Sequence, residues 1–188
     1  WRFHTYFGRD TLMTLRLLMP VLRPAAIEAA LASVLHRLNP AGEVAHEEDM
    51  GEFAALTRLM SGEPASVEPI FDYKMVDDDF MLLPVAVAYL LNTVAGREHA
   101  AWFLARSEGE HMSFGALLVR NMGWVLSKAR PFAQRPHAAA LVRLKSGEVV
   151  GDWRDSADGL GGGVYSYSVN VVLVPAALRA IGALAASS

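Results

Sequence analysis

The 188-residue chain contains no cysteine. Disulfide staples, thiolate metal sites and a cysteine nucleophile are therefore excluded, although the compartment is left open. Charge of one sign is also scarce: 17 Lys and Arg stand against 20 Asp and Glu, a net charge of −3. Neither nucleic acid nor an anionic membrane finds an electrostatic partner in such a chain. The most apolar stretch, 169–186, is interrupted by Asn170, Pro175 and Arg179, so no membrane span is expected there. Gly-x-Ser-x-Gly and the phosphate-binding Gly-x-x-x-x-Gly-Lys are missing, and the glycines at 159–163 do not have dinucleotide spacing. His46-Glu47-Glu48-Asp49-Met50 opens like a zinc-protease helix, but Met50 stands where the second histidine is needed. No metal and no cofactor are expected.

What is present is helix. The hydrophobic share is 53%, much of it Ala and Leu, and apolar residues recur at helical spacing. A helix is predicted from Asp10 or Thr11 to Pro20, either residue being able to cap it, and another from Pro24 through Leu38. Further helices are expected over 51–60, 78–94, 97–107, from His111 or Ser113 to about Lys128, and over 171–185. The 78–94 segment is apolar nearly all round and belongs inside a large core. Residues 61–72 read as a connection. Leu141–Leu144 and Glu148–Val150, around Ser146-Gly147, predict a short hairpin. Pro131 and Pro136 are expected to break up the region before it. The class is all-α with little or no β structure, and the pairing of helices suggests a helical array or a toroid of hairpins.

The unusual residues lie between the helices. Gly151-Asp152-Trp153-Arg154-Asp155-Ser156 and the glycine-rich turn after it carry three carboxylates by Asp158. Glycines and carboxylates are poor core material, which makes this loop a candidate for function. Asp10, Glu43, Glu47, Glu48, Asp77, Asp78 and Asp79 also stand in loops or at helix entrances, often beside an aromatic. Glycoside hydrolysis needs that mixture: one carboxylic acid to protonate the leaving oxygen and a second carboxylate to activate water or attack the sugar. Aromatic rings supply apolar faces for sugars and can raise an acid's pKa. Taken singly, each feature has an ordinary explanation. Asp10 and Asp77 can be helix caps, Glu47 and Glu48 solvated surface, and His46 and Trp153 packing residues.

At these positions the chain resembles the six-hairpin glycosidases, in particular the amylo-α-1,6-glucosidase part of glycogen debranching enzymes and its bacterial relatives. Tyr6-Phe7-Gly8-Arg9-Asp10-Thr11 is similar to the family's Gly-Arg-Asp-Thr signature. Gly42–Glu47 resembles its Gly-x-Ile-Pro-His/Asn-Glu/Arg loop, and Tyr73–Asp77 its Tyr-Asn-Ser-Val-Asp segment. Asp152-Trp153-Arg154-Asp155 resembles Thr-Trp-Met-Asp, and Tyr165–Asn170 matches Val-Glu-Val-Asn loosely. Departures fall at Asp152, Arg154 and Ser168.

The resemblance implies an (α/α)6 toroid of helical hairpins, of which residues 1–188 form part of a single catalytic domain, completed by the remainder of its own polypeptide. It implies Asp155 as general acid, with Asp152 in reserve, and Arg9, Asp10 and Asp77 holding the nonreducing sugar. His46, Glu47, Trp153 and Tyr167 are expected to line the pocket. The substrate is expected to be an α-linked glucan or oligosaccharide, cleaved with inversion. The family's general base is a downstream Glu, so this stretch is expected to carry the acid without it. The chain opens at Trp1 rather than Met and reads as a piece of a longer protein. Two other readings stand beside this one: a carbohydrate-binding or structural toroid without catalysis, and a helical interaction scaffold with solvated acidic loops.

Overall fold

A computed structural model describes residues 5–107, 112–153 and 160–187. The fold is mostly helical, at 60% helix with seven α-helices among the described residues. In order they are α1 (Gly8–Leu18), α2 (Pro24–Leu35), α3 (Glu52–Met60), α4 (Asp77–Leu90), α5 (Val94–Ala105), α6 (Phe114–Gln134) and α7 (Val174–Ala186). α1, α2 and α6 bury the stripe their spacing marks out. Leu12 and Leu15 of α1, Ile27, Leu31, Val34 and Leu35 of α2, and Phe114, Leu117, Leu118 and Val125 of α6 all join one continuous core. Pro24 starts α2, where its missing N–H costs nothing. Thr93 and Ser113 cap α5 and α6 through their hydroxyls, which accept from Gly96 N at 2.9 Å and Ala116 N at 3.2 Å.

α4 is the central element. Phe80, Leu82, Leu83, Val85, Ala86, Tyr89 and Leu90 are all buried, and it packs against α1, α2, α5, α6 and α7. Pro84 lies in its middle. α7 lies along α4 and is entered through a π-helical turn over Val169–Leu173. Together they make a helical stretch from Val169 to Ala186 with mean hydropathy 1.9, of which 17% is buried. By length and composition alone that stretch is apolar enough to cross a membrane.

The little β structure expected takes the form of three short strands at positions not anticipated. β1 (Tyr6–Phe7), β2 (Glu47–Asp49) and β3 (Ile70–Asp72) form an antiparallel sheet in that order, with Phe7 opposite Glu47 and Glu47 opposite Asp72. β3 falls within what reads as a plain connection. The hairpin expected over 141–150 does not form. Leu144 N instead donates to Val164 O at 2.9 Å, while Asn170 accepts from Val142 N at 2.8 Å and donates to Val142 O at 2.7 Å. A side-chain amide thus occupies the ladder position that residues 148–150 would have filled. Other departures are smaller. α1 begins at Gly8, before Asp10, with no side-chain cap. α6 runs through Pro131 to Gln134 rather than ending near Lys128.

Gly8 shows why the sheet and α1 meet so closely. Its N–H donates to His46 O at 2.8 Å, and a Cβ at this position would overlap the Ala45 carbonyl. Gly42 has φ +97° and lies against the Arg120 backbone, which restricts it to glycine on two counts.

Candidate functional site

The sheet gathers the motif loops at one end of the helices. β1 leads into α1, and β3 leads through Tyr73–Val76 into α4, so the first turns of α1 and α4 come together. α4 opens with three successive aspartates, all buried. Successive helical residues point about 100° apart. Each carboxylate therefore reaches a different element.

Asp77 Oδ2 lies 3.4 Å from Arg9 Nη1. The same nitrogen donates to Asp152 O at 3.3 Å, and the Arg9 guanidinium carbon is 5.5 Å from the Trp153 ring centroid. The loop is drawn to α4 by Val76 N, which donates to Gly151 O at 2.6 Å. Burial raises the Asp77 carboxyl to about 7, and the neighbouring Asp78 charge adds to this while Arg9 opposes it.

Asp78 Oδ2 lies 2.8 Å from His46 Nδ1, with both side chains buried. The His46 ring meets the Phe7 ring edge-on at 6.2 Å between centroids.

Asp79 accepts from Val44 N at 2.8 Å and Trp124 Nε1 at 3.0 Å, and pairs with Lys145 Nζ at 2.9 Å. Lys145 also pairs with Glu43 at 2.9 Å and donates to Tyr73 O at 2.5 Å. Burial lifts the Asp79 carboxyl to about 7 against the pull of Lys145.

The neighbouring loop is tightly ordered. Asn39 Oδ1 accepts from Ala41, Gly42 and Glu43 N, each at 3.0 Å. Glu48, which reads as solvated surface, is instead buried against Arg37 Nε at 2.6 Å. Arg37 in turn covers the Tyr6 ring at 4.3 Å, and burial pushes the Tyr6 phenol upward.

Of the residues singled out in the sequence, Arg9, Asp77, Asp152 and Trp153 meet directly, and His46 joins them through Asp78. Glu47, partly buried, lies next to His46 in the central strand. Trp153 is 56% exposed, so its ring is not core packing. Asp10 and Tyr167 lie elsewhere. Asp10 is one residue around α1 from Arg9 and lines a hollow of about 470 Å3 with Tyr6, Thr14, Leu22 and Ala26. Tyr167, 77% exposed, lines an apolar hollow of about 590 Å3 with Phe132, Val171 and Leu178. Asp155, the residue assigned the acid role, lies outside the described residues.

Asp78 and Asp79, named among the candidate carboxylates but given no role, complete the cluster with Lys145, which was not singled out. A signal for them exists: a helix apolar on every face must also bury its acidic first turn, and buried carboxylates require cations. Among the described residues no group of three or more His, Asp or Glu side chains is arranged to hold a metal ion. Comparison with family models, curated proteins and solved structures finds no match to this chain.

Proposed function

We propose that this chain is the sugar-recognising part of a glycoside hydrolase of the six-hairpin, (α/α)6-toroid kind, acting on an α-linked glucan or oligosaccharide. Asp155 donates the proton to the leaving oxygen, Asp152 is the reserve for that role, and the outcome is inversion. Arg9 and Asp77 hold the sugar, while Trp153 presents its face to the ring. One observation carries the reading. Segments 68 and 143 residues from Arg9 meet at its guanidinium, beside an indole that remains largely in solvent. A charged pair able to bind hydroxyls, next to an aromatic platform, suits a polyol better than an apolar or polyanionic ligand.

The test is a titration of intrinsic tryptophan fluorescence with maltooligosaccharides, together with hydrolysis by the full-length polypeptide carrying Asp155→Asn. Saturable quenching that survives Asp155→Asn, with turnover abolished, supports the enzyme. Binding without turnover in the unsubstituted protein leaves a carbohydrate-binding module. No binding of any glycan returns the chain to a helical scaffold.

A further inference from the structure

We propose that the groove between α6 and α7 binds a long-chain carboxylate, its acyl chain lying in the apolar hollow beside Tyr167 and its head group held by Lys128 and Arg143. The site is separate from the Arg9–Asp77 pair and does not depend on the saccharide reading.

The sequence already separates the charges. Residues 111–147 contain six Lys or Arg and no Asp or Glu, and residues 159–188 contain one Arg and no Asp or Glu. The net charge of −3 therefore conceals a segment of the opposite sign. The fold lays the two segments together, because α6 packs against α7. Between them lies the hollow of about 590 Å3, within the roughly 300–1,000 Å3 of small-molecule sites. Its α7 side runs from Val171 to Leu178, about 10 Å of helix, which suits an extended alkyl chain. Phe132, Tyr165, Tyr167, Val171 and Leu178 are all exposed around this one hollow, and apolar surface gathered in this way marks a binding site. The tyrosine hydroxyls aside, the polar side chains deeper in the wall are engaged already. Asn170 is bonded to Val142 at 2.7 and 2.8 Å, and Ser166 Oγ lies 3.0 Å from Ser168 Oγ. The body of an occupant gains little there by being polar.

The head group is set by the neighbouring hollow, of about 610 Å3, which shares Lys128 with the apolar one and is also lined by Arg143, Lys145 and Glu148. Lys145 is neutralised by Asp79 and Glu43. Lys128 and Arg143 form no ion pair among the described residues. They stand instead over aromatic rings: Lys128 Nζ is 3.9 Å from the Trp124 centroid, and Arg143 Cζ is 6.0 Å from that of Tyr165, itself part of the apolar wall. Two such cations against Glu148 alone leave positive charge where the two hollows meet. A ligand that answers both hollows has one anionic group on an apolar body.

The experiment is isothermal titration calorimetry of the full-length polypeptide with decanoate below its micelle concentration, and with decanol as the uncharged control. The expected result is saturable binding of decanoate at one site per chain and at least tenfold weaker binding of the alcohol. The double substitution Lys128→Met, Arg143→Met should weaken decanoate about tenfold, the scale of a hydrogen bond to a charged group, and leave the alcohol unchanged. Leu178→Glu, which sets a carboxylate in the groove, should abolish binding while circular dichroism shows unchanged helix content. No binding of decanoate overturns the proposal, whether or not vesicles of anionic phospholipid bind in its place. Equal affinity for decanoate and decanol overturns the head-group assignment, and undiminished decanoate binding by a folded Leu178→Glu overturns the groove. Displacement of decanoate by maltooligosaccharide would return the hollow to the saccharide site and also defeat the proposal.

Discussion

Replacing Lys145 with methionine tests how the acidic start of α4 is held. The substitution keeps the side chain's length and apolar stem and removes the ammonium that joins Asp79, Glu43 and Tyr73 O. Near pH 5 the Asp79 carboxyl, raised to about 7 by burial, is protonated in the folded protein with or without Lys145. The loss there is confined to the partly exposed Glu43 pair and one carbonyl contact, about 1–2 kcal/mol. Above pH 7 the two proteins diverge. Wild-type Asp79 ionises against Lys145, whereas the variant, with that cation gone, keeps its proton to higher pH. A folded state that holds one proton more than its reference loses about 1.4 kcal/mol of stability per pH unit. Near pH 9 the deficit should reach about 4 kcal/mol, within the range for a broken buried pair. For a chain of this size that is a fall in Tm of about 10 °C. Urea denaturation of both proteins from pH 5 to pH 9 measures it. A stability difference that stays constant within about 0.5 kcal/mol across that range would refute the reasoning.

Other outcomes follow from the same geometry. The Asp77 carboxyl, raised from 3.8 to about 7, favours folding while protonated. Its contribution is fully present below pH 4 and lost as pH rises through 7, so wild-type stability should gain on Asp77→Asn as pH falls from 7 to 4, as thermal melts will register. Arg9→Met removes the cation over Trp153 and the partner of Asp77; expected are a shift in Trp153 emission and at least tenfold weaker maltooligosaccharide binding, about 1.4 kcal/mol. Gly8→Ala drives a methyl into the Ala45 carbonyl and should cost about 2 kcal/mol or more in urea denaturation. Thr93→Ala deletes the α5 cap and should cost about 1 kcal/mol by the same assay.

The helices were legible because burial and spacing coincide in them. Leu12 and Leu15, Ile27 and Leu31, and Leu117 and Leu118 fall where a 3.6-residue period requires, and Pro24 and Ser113 mark real starts. The sheet was not legible. Two- and three-residue strands carry too short an alternation to read, and Glu47-Glu48-Asp49 has no strand-forming composition. Those residues are extended because Phe7 and Asp72 supply ladder partners from far away in the chain. The hairpin over 141–150 failed for the converse reason: local turn chemistry at Ser146-Gly147 was readable, but the competing amide of Asn170 was not.

The candidate cluster was legible in part. Arg9, Asp77, Asp152 and Trp153 stood out as charge beside aromatics at element entrances. Asp78 and Asp79 were counted among the carboxylates at helix entrances without an assigned partner, although a helix buried on all sides leaves no solvent at its first turn.

The three adjacent carboxylates also constrain how the molecule can move. They radiate from one axis toward α1, the strand region and the Lys145 loop, so a rotation of α4 cannot loosen one attachment and spare the others. Twisting that helix, or adding or deleting a residue ahead of it, would carry all three away from their side-chain partners at once. The junction should therefore yield as a unit, and slow amide exchange in the first turns of α1 and α4 should collapse together under denaturant.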